Sequence, residues 1–380
     1  MTTLITNAHI VSPDVEIENG AIAITDGIIS GVYNLGDALP EADTTFDAQG
    51  QYAFPGFIDI HAHGADGKDV CDNDLDAIRH IAKTKLREGV TTWLPTTLTQ
   101  PQAKLLEIAE KCAQYNANQE FAKTPGLHVE GPFINVSKAG AQNPEFVREP
   151  NLEELKEIHD IAPALVFSIA PCQSNACEVI AGAKALGISS SAAHTEATYA
   201  QVLAAKDAGL THLTHYGNAM TGLHHREIGM VGSGLIDDDL KIEMICDGIH
   251  LAPDFVKLIF KVKPIDQIIM ITDSMAGSWI NNGECTLGGL DVVVENKVAR
   301  LKEGGALAGS ALVFNEGVAL VSELTGLPLH QIVKATSWNQ AQSLGLDNHG
   351  KIEAGFTGDI AILDKEFNST ATFVDGEQRF

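Results

Sequence analysis

Eight apolar, strand-length runs alternate with amphipathic stretches between residues 57 and 273, and this alternation limits the available folds more than any other feature. The candidate strands cover 57–63, 90–95, 126–133, 166–171, 188–194, 212–218, 243–250 and 268–273. Between the first two, Leu75, Ile78, Ile81, Ala82 and Leu86 recur at helical spacing behind Asp74, a good helix cap. Residues 152–162, 176–186, 199–209 and 253–262 read the same way. Strand–helix alternation of this length predicts a (β/α)8 TIM-type barrel spanning 54–354. An open doubly wound sheet would place a glycine-rich phosphate loop after its first strand, where this chain has His61-Ala62-His63-Gly64. Short strands in 3–53, with a hairpin turn at Asp26-Gly27, are too thin to stand alone. The strand-like segments 358–363 and 371–376 are their natural complement, which predicts one shared sheet or small β-sandwich built from 1–53 and 355–380. Residues 283–305 read as a polar hairpin inserted after the eighth strand.

The chain carries 25 Lys and Arg against 50 Asp and Glu, a formal net charge of −25, with no basic run to offset it. Such a surface repels nucleic acid and anionic membranes, so neither is an expected partner. If the substrate is an anion, its cationic contacts must be few and local. The six cysteines form no C-x-x-C pair; the closest two, Cys172 and Cys177, match no zinc or redox spacing. A reducing cytoplasm is the expected location, in keeping with the lack of a signal-type N-terminus or an apolar run of about 20 residues.

Candidate chemistry gathers at the strand ends, where barrels of this kind place it. The first strand ends in His61 and His63, which share a face and lie roughly 6–7 Å apart along a strand. The third ends in His128-Val129-Glu130, the fifth in His194, the sixth in His215, the seventh in Asp247-Gly248-Ile249-His250 and the eighth in Asp273. A lone strand-end histidine is more often packing than chemistry. This whole set, buried together, would leave several titratable groups unpaired unless it held a cation. A divalent metal site is the expected outcome. His128 and His212 read as structural, and the cysteines as small apolar packing groups.

The same set resembles the amidohydrolase superfamily. Its strand-four end, Val166-Phe167-Ser168-Ile169-Ala170, lacks the lysine that cyclic-amide hydrolases of that superfamily carry there. The segments His128-Val129-Glu130-Gly131-Pro132, Lys138-Ala139-Gly140-Ala141-Gln142-Asn143-Pro144, Thr214–Met220, His224-His225-Arg226-Glu227, Asp247–His250, Thr272-Asp273 and Leu307-Ala308-Gly309 resemble the N-acetylglucosamine-6-phosphate deacetylase family over nearly the whole chain. That resemblance implies deacetylation of a phosphosugar. It implies one metal on Glu130, His194 and His215, a second on His61 and His63 with Glu130 bridging, and Asp273 as catalytic acid/base. It implies substrate contacts at Gln142, Asn218, Ala219, Arg226, His250 and Leu307, and a homodimer. Zinc is the first metal expected, although His/carboxylate sites also accept iron, manganese, cobalt or nickel. Where some members carry a histidine, this chain has Gln142, a weaker polariser of a carbonyl; a second metal would supply what it lacks. N-acetylgalactosamine 6-phosphate is the alternative substrate. A cyclic-amide hydrolase and a silent scaffold are weaker alternatives.

Overall fold

The structure is a computed structural model and describes residues 1–380. Eight strands run parallel to their neighbours: β1 (Phe57–Ala62), β2 (Val90–Pro95), β3 (Leu127–Glu130), β4 (Ala164–Ile169), β5 (Ser189–Ala192), β6 (Leu210–Leu213), β7 (Lys241–Ile245) and β8 (Ile268–Ile271). β3 to β8 form one six-stranded sheet in sequence order and β1 pairs with β2. Single parallel bridges, Thr96 to His128 and Ala62 to Ser274, tie the pair to both edges of the six. The sheet is therefore curled and barrel-like. Its interior shows in a buried apolar cluster that joins Ile58 and Ile60 of β1, Leu94 of β2, Val166 of β4, Ile245 of β7 and Ile269 and Ile271 of β8. Strands far apart in the sheet can meet only across the inside of a curl.

Helices follow the strands as the spacing predicts, among them α1 (Leu75–Leu86), α2 (Gln102–Asn116), α3 (Leu152–Ile161), α4 (Ala176–Ala185), α5 (Tyr199–Ala208), α6 (Gly229–Ile236) and α7 (Pro253–Val262). Asp74 caps α1 by accepting from the backbone N–H of Asp76, and Thr198 with Gln201 forms a capping box on α5. The strands stop earlier than the sequence predicts. β5, β6 and β8 end two residues before His194, His215 and Asp273, and all three of those residues take left-handed backbone, with φ of 44°, 35° and 50°. Apolar character continues past each strand because the loop that follows it is buried too.

The chain ends share a single hydrogen-bonded sheet of eight strands. The reason lies in the eleven-residue strand Thr2–Ser12. One of its edges takes Val15–Thr25; the other takes Thr44–Asp47 and then Tyr52–Pro55, which in turn pairs with Ile360–Leu363. Register breaks at Ala8 let that long strand bend around a core containing Ile5, Ile10, Ile22, Ile360 and Phe373. Gly56 joins this sheet to β1, and a β-carbon there would sit 2.1 Å from Thr91 Oγ1, so no larger residue fits. The insertion is a three-stranded antiparallel sheet, Asn282–Leu287, Leu290–Glu295 and Val298–Leu301, rather than a plain hairpin. It buries Leu287, Val292 and Val294 in the main core.

One polar cluster sits inside the apolar packing. Lys85 of α1 is fully buried and donates to Asp59 Oδ2 (3.0 Å), Glu88 Oε2 (3.1 Å), Thr272 Oγ1 (3.3 Å) and Ser274 Oγ (3.0 Å). Thr272 and Ser274 flank Asp273, so the cluster holds the end of β8 in place. Its sequence signal was present: Lys85 lies on the apolar stripe, four residues after Ile81. Replacing Lys85 with Met would leave the Asp59 and Glu88 carboxylates buried without a cation. A loss of about 3–5 kcal/mol in denaturant unfolding is expected; an unchanged midpoint would contradict the pairing.

Candidate active site

The strand ends open onto a cavity of about 330 Å³, within the range of small-molecule sites. Glu130 stands at its floor and is buried, with its two oxygens facing different partners. Oε1 lies 3.3 Å from His194 Nε2 and 3.2 Å from His215 Nε2, and those two nitrogens are 3.1 Å apart. Oε2 lies 3.3 Å from His63 Nε2. His63 Nε2 is in turn 3.3 Å from His61 Nε2 and 3.2 Å from Asp273 Oδ1, which is 3.5 Å from His61 Nε2. Two donor sets therefore meet at one carboxylate: Glu130 with His194 and His215, and His61 with His63 and Asp273.

Both sets fit a divalent cation. His194 Nδ1 donates to the Lys138 carbonyl at 2.7 Å and His63 Nδ1 to the Thr96 carbonyl at 3.1 Å. In the neutral rings this leaves lone pairs on the two Nε2 atoms, aimed at carboxylate oxygens and at other nitrogens. A tetrahedral ion with bonds of about 2.0–2.1 Å holds its ligand atoms about 3.3 Å apart. The separations above, 3.1 to 3.5 Å, lie around that value.

The electrostatics ask for positive charge at the same place. Burial alone would favour neutral imidazoles, but the Glu130 and Asp273 carboxylates push His61 well up and His63 to about 9. Burial would likewise raise Glu130 and Asp273, yet the charge on His61 and hydrogen bonds from neighbouring histidines hold both carboxylates down, Glu130 far down. Without an ion, protons must supply the balance.

Gln142, Asn218, Ala219, His250 and Leu307 line the same cavity. The Gln142 amide is committed: its oxygen takes the Thr99 N–H at 2.6 Å, so its nitrogen must face Glu130 Oε2, also at 2.6 Å. Its main contact is thus with Glu130, and one amide hydrogen remains for anything in the cavity. His250 is fixed by Asp247, which accepts from its Nδ1 at 2.6 Å and from the backbone N–H of Ile249 and His250 at 2.8 Å each. Burial pulls the pKa of His250 down, but the Asp247 hydrogen bond and charge raise it overall. It stands at the cavity wall.

Arg226 is not brought to this cavity. It lies in an exposed loop, lines a separate surface depression with Tyr199 and Leu223, and bonds its neighbour His225. His128 and His212 sit as the sequence predicts for structural groups: His128 donates from Nδ1 to the Ile60 carbonyl, and His212 bonds Ser343.

Sequence reasoning missed three residues here. Lys138, the one lysine lining the cavity, had no signal beyond its motif. Leu287 comes from the insertion. Glu243, on β7, is fully buried beside His61; a glutamate between Ile242 and Met244 in an apolar strand was the available clue.

The curled parallel sheet and the carboxylate-linked histidines at its strand ends define an amidohydrolase-type hydrolase fold. The chain belongs to the amidohydrolase family, whose model matches residues 52–379. It is 34% identical to an N-acetylglucosamine-6-phosphate deacetylase of Bacillus subtilis strain 168, over 99% of this chain and 97% of that protein. It is 33% identical to an N-acetylgalactosamine-6-phosphate deacetylase of Escherichia coli O157:H7, over 99% of each. Its structure is similar to that of a mutant N-acetyl-D-glucosamine-6-phosphate deacetylase from Mycobacterium smegmatis in complex with N-acetyl-D-glucosamine-6-phosphate. That match has a TM-score of 0.93 and 29% identity, and covers 100% of this chain and 99% of the other.

Metal removal provides a direct check. Dialysis against a chelator should lower the unfolding temperature at neutral pH, and zinc or another divalent ion should restore it. An ion held at 100 times its Kd adds about 2.7 kcal/mol. Identical melting with and without chelator would argue that neither donor set holds an ion.

Proposed function

We propose that this chain hydrolyses the acetamide of N-acetylglucosamine 6-phosphate to glucosamine 6-phosphate and acetate. The observation that carries the reading is the position of Asp273: its Oδ1 stands 3.2 Å from His63 Nε2 at the floor of a sugar-sized cavity. The names of the full-length relatives support the substrate class.

In this reading Glu130, His194 and His215 would hold one divalent ion, and His61 and His63, again with Glu130, would hold a second; zinc is the first choice. Such an ion would lower the pKa of a water and polarise the acetamide carbonyl. Asp273, kept ionised by its histidine neighbours, takes the proton of the attacking water and later gives it to the departing nitrogen. That proton is needed because an amide anion is a very poor leaving group. Leu307 and Gly309 line the cavity beside Asp273 and would border the acetyl methyl. Gln142 keeps Glu130 in place.

The phosphate would meet His250 and the backbone at Asn218 and Ala219. Arg226 would reach it only by movement of its loop or from a second copy, so this reading includes a homodimer. It also includes closure of the curled sheet into an eight-stranded barrel over 54–354, with the 1–53 and 355–380 segments as a second unit, in the cytoplasm. No helix is long and apolar enough to cross a membrane.

N-acetylgalactosamine 6-phosphate is the second reading, favoured by the Escherichia coli relative. A cyclic-amide hydrolase is disfavoured because β4 carries no lysine. A silent scaffold is disfavoured because both donor sets are complete.

Acetate release from the two 6-phosphosugars tests the assignment. The wild type should turn over the gluco sugar faster, and Asp273→Asn should lose about 10²–10⁴ in kcat while retaining its metal. Faster turnover of the galacto sugar would favour the second reading; an active Asp273→Asn would remove the proposed proton carrier.

A further inference from the structure

The roles assigned above leave one fully buried carboxylate unused. Glu243 sits on β7 with its Oε2 3.6 Å from His61 Nδ1, slightly beyond hydrogen-bond length. Both atoms are buried and neither has a hydrogen-bond partner of its own. Two unpaired polar atoms facing each other at that distance are costly unless they pair. The other carboxylate oxygen is occupied: Ser191 Oγ donates to Oε1 at 3.4 Å and itself accepts from Thr214 Oγ1. The lone pairs of Oε2 are left for His61.

The same carboxylate lies near His128, and together with His61 the three form a cluster of metal-ligating residue types. His128 cannot serve there. Its Nδ1 donates to the Ile60 carbonyl at 2.9 Å, and its Nε2 accepts from Ser168 Oγ at 2.7 Å, so no lone pair is free. The cluster is a hydrogen-bonded support, not an ion site.

We propose that Glu243 is a positioning residue that accepts the Nδ1–H of His61 and so directs the Nε2 of that ring toward His63 and Asp273. It does for His61 what the Thr96 carbonyl does for His63 and the Lys138 carbonyl does for His194. A carboxylate does this more strongly than a carbonyl, because a charged acceptor raises the basicity of the ring it holds. The consequence for metal binding rests on the two-ion reading above; the orientation of His61 does not.

The test uses two variants. Glu243→Leu fills a similar volume with no acceptor, and Glu243→Gln keeps an amide oxygen for His61 while its nitrogen can donate to Ser191. Proton–nitrogen correlation spectra of the metal-free proteins, with the His61 signals assigned through His61→Gln, read the Nδ1–H proton directly, whether the ring is neutral or protonated. Wild type and Glu243→Gln should show a His61 Nδ1–H signal shifted far downfield by its acceptor; Glu243→Leu should show that signal moved upfield or lost to solvent exchange. An unchanged downfield Nδ1–H signal in Glu243→Leu would overturn the proposal.

Metal titration of the same proteins should show the second ion weakened about 10–100-fold in Glu243→Leu, with the first ion unaffected. A wild type that binds a single ion would contradict the two-ion reading while the spectra still judged Glu243. Two ions held equally tightly by wild type and Glu243→Leu would again count against Glu243.

Discussion

The site depends on one carboxylate shared between two sets of imidazoles. Glu130 is fully enclosed, and a buried carboxylate is tolerated only if cations or hydrogen bonds compensate it. Here Oε1 faces His194, His215 and, at 3.6 Å, His61, while Oε2 faces His63 and the Gln142 amide. Because His63 also faces Asp273, the proposed proton carrier takes its position from the same arrangement. Anything that rotates Glu130 would disturb both donor sets together. This explains why its surroundings are so closely tied, with Gln142 fixed in turn by the backbone of Thr99.

The fold supplies this geometry through the ends of short parallel strands. His194, His215 and Asp273 each lie just past a strand and adopt left-handed backbone, which a side-chain-bearing residue takes at a cost of order 1–3 kcal/mol. Three such positions around one cavity amount to local strain that the packed surroundings must hold. Part of that hold is polar. The buried Lys85 cluster grips Thr272 and Ser274 on either side of Asp273, while Ser168 holds His128 and Ser191, backed by Thr214, holds Glu243. An apolar core carries the fold, and buried polar networks aim the strand-end groups.

Periodicity made the strand–helix alternation legible, and with it the placement of His61, His63, Glu130, His194, His215 and Asp273 on one side of the sheet. Their convergence followed from the fold class and from the family resemblance. Other features were hidden for physical reasons. Strand ends were overestimated because the loops after them are buried and apolar, so hydrophobicity does not mark where the ladder stops. That the two chain ends share a sheet is legible in their strand-like segments, whereas the pairing of one long strand along both edges leaves no local signature. Arg226 belongs to a family motif, yet the loop that carries it is exposed and stands apart from the cavity; sequence spacing says nothing of which way such a loop folds. Glu243 and Lys85 stand inside apolar patterns, which marks them as buried but does not name their partners, far away in sequence.

The two donor sets that meet at Glu130 would let that carboxylate serve two ions at once. Anomalous diffraction from crystals of the metal-loaded protein measures this directly. Two peaks about 3.5–4 Å apart, on either side of the Glu130 carboxylate, are the predicted result. A single peak at His194 and His215, with His61 and His63 bonded only to Asp273 and Glu130, would contradict it.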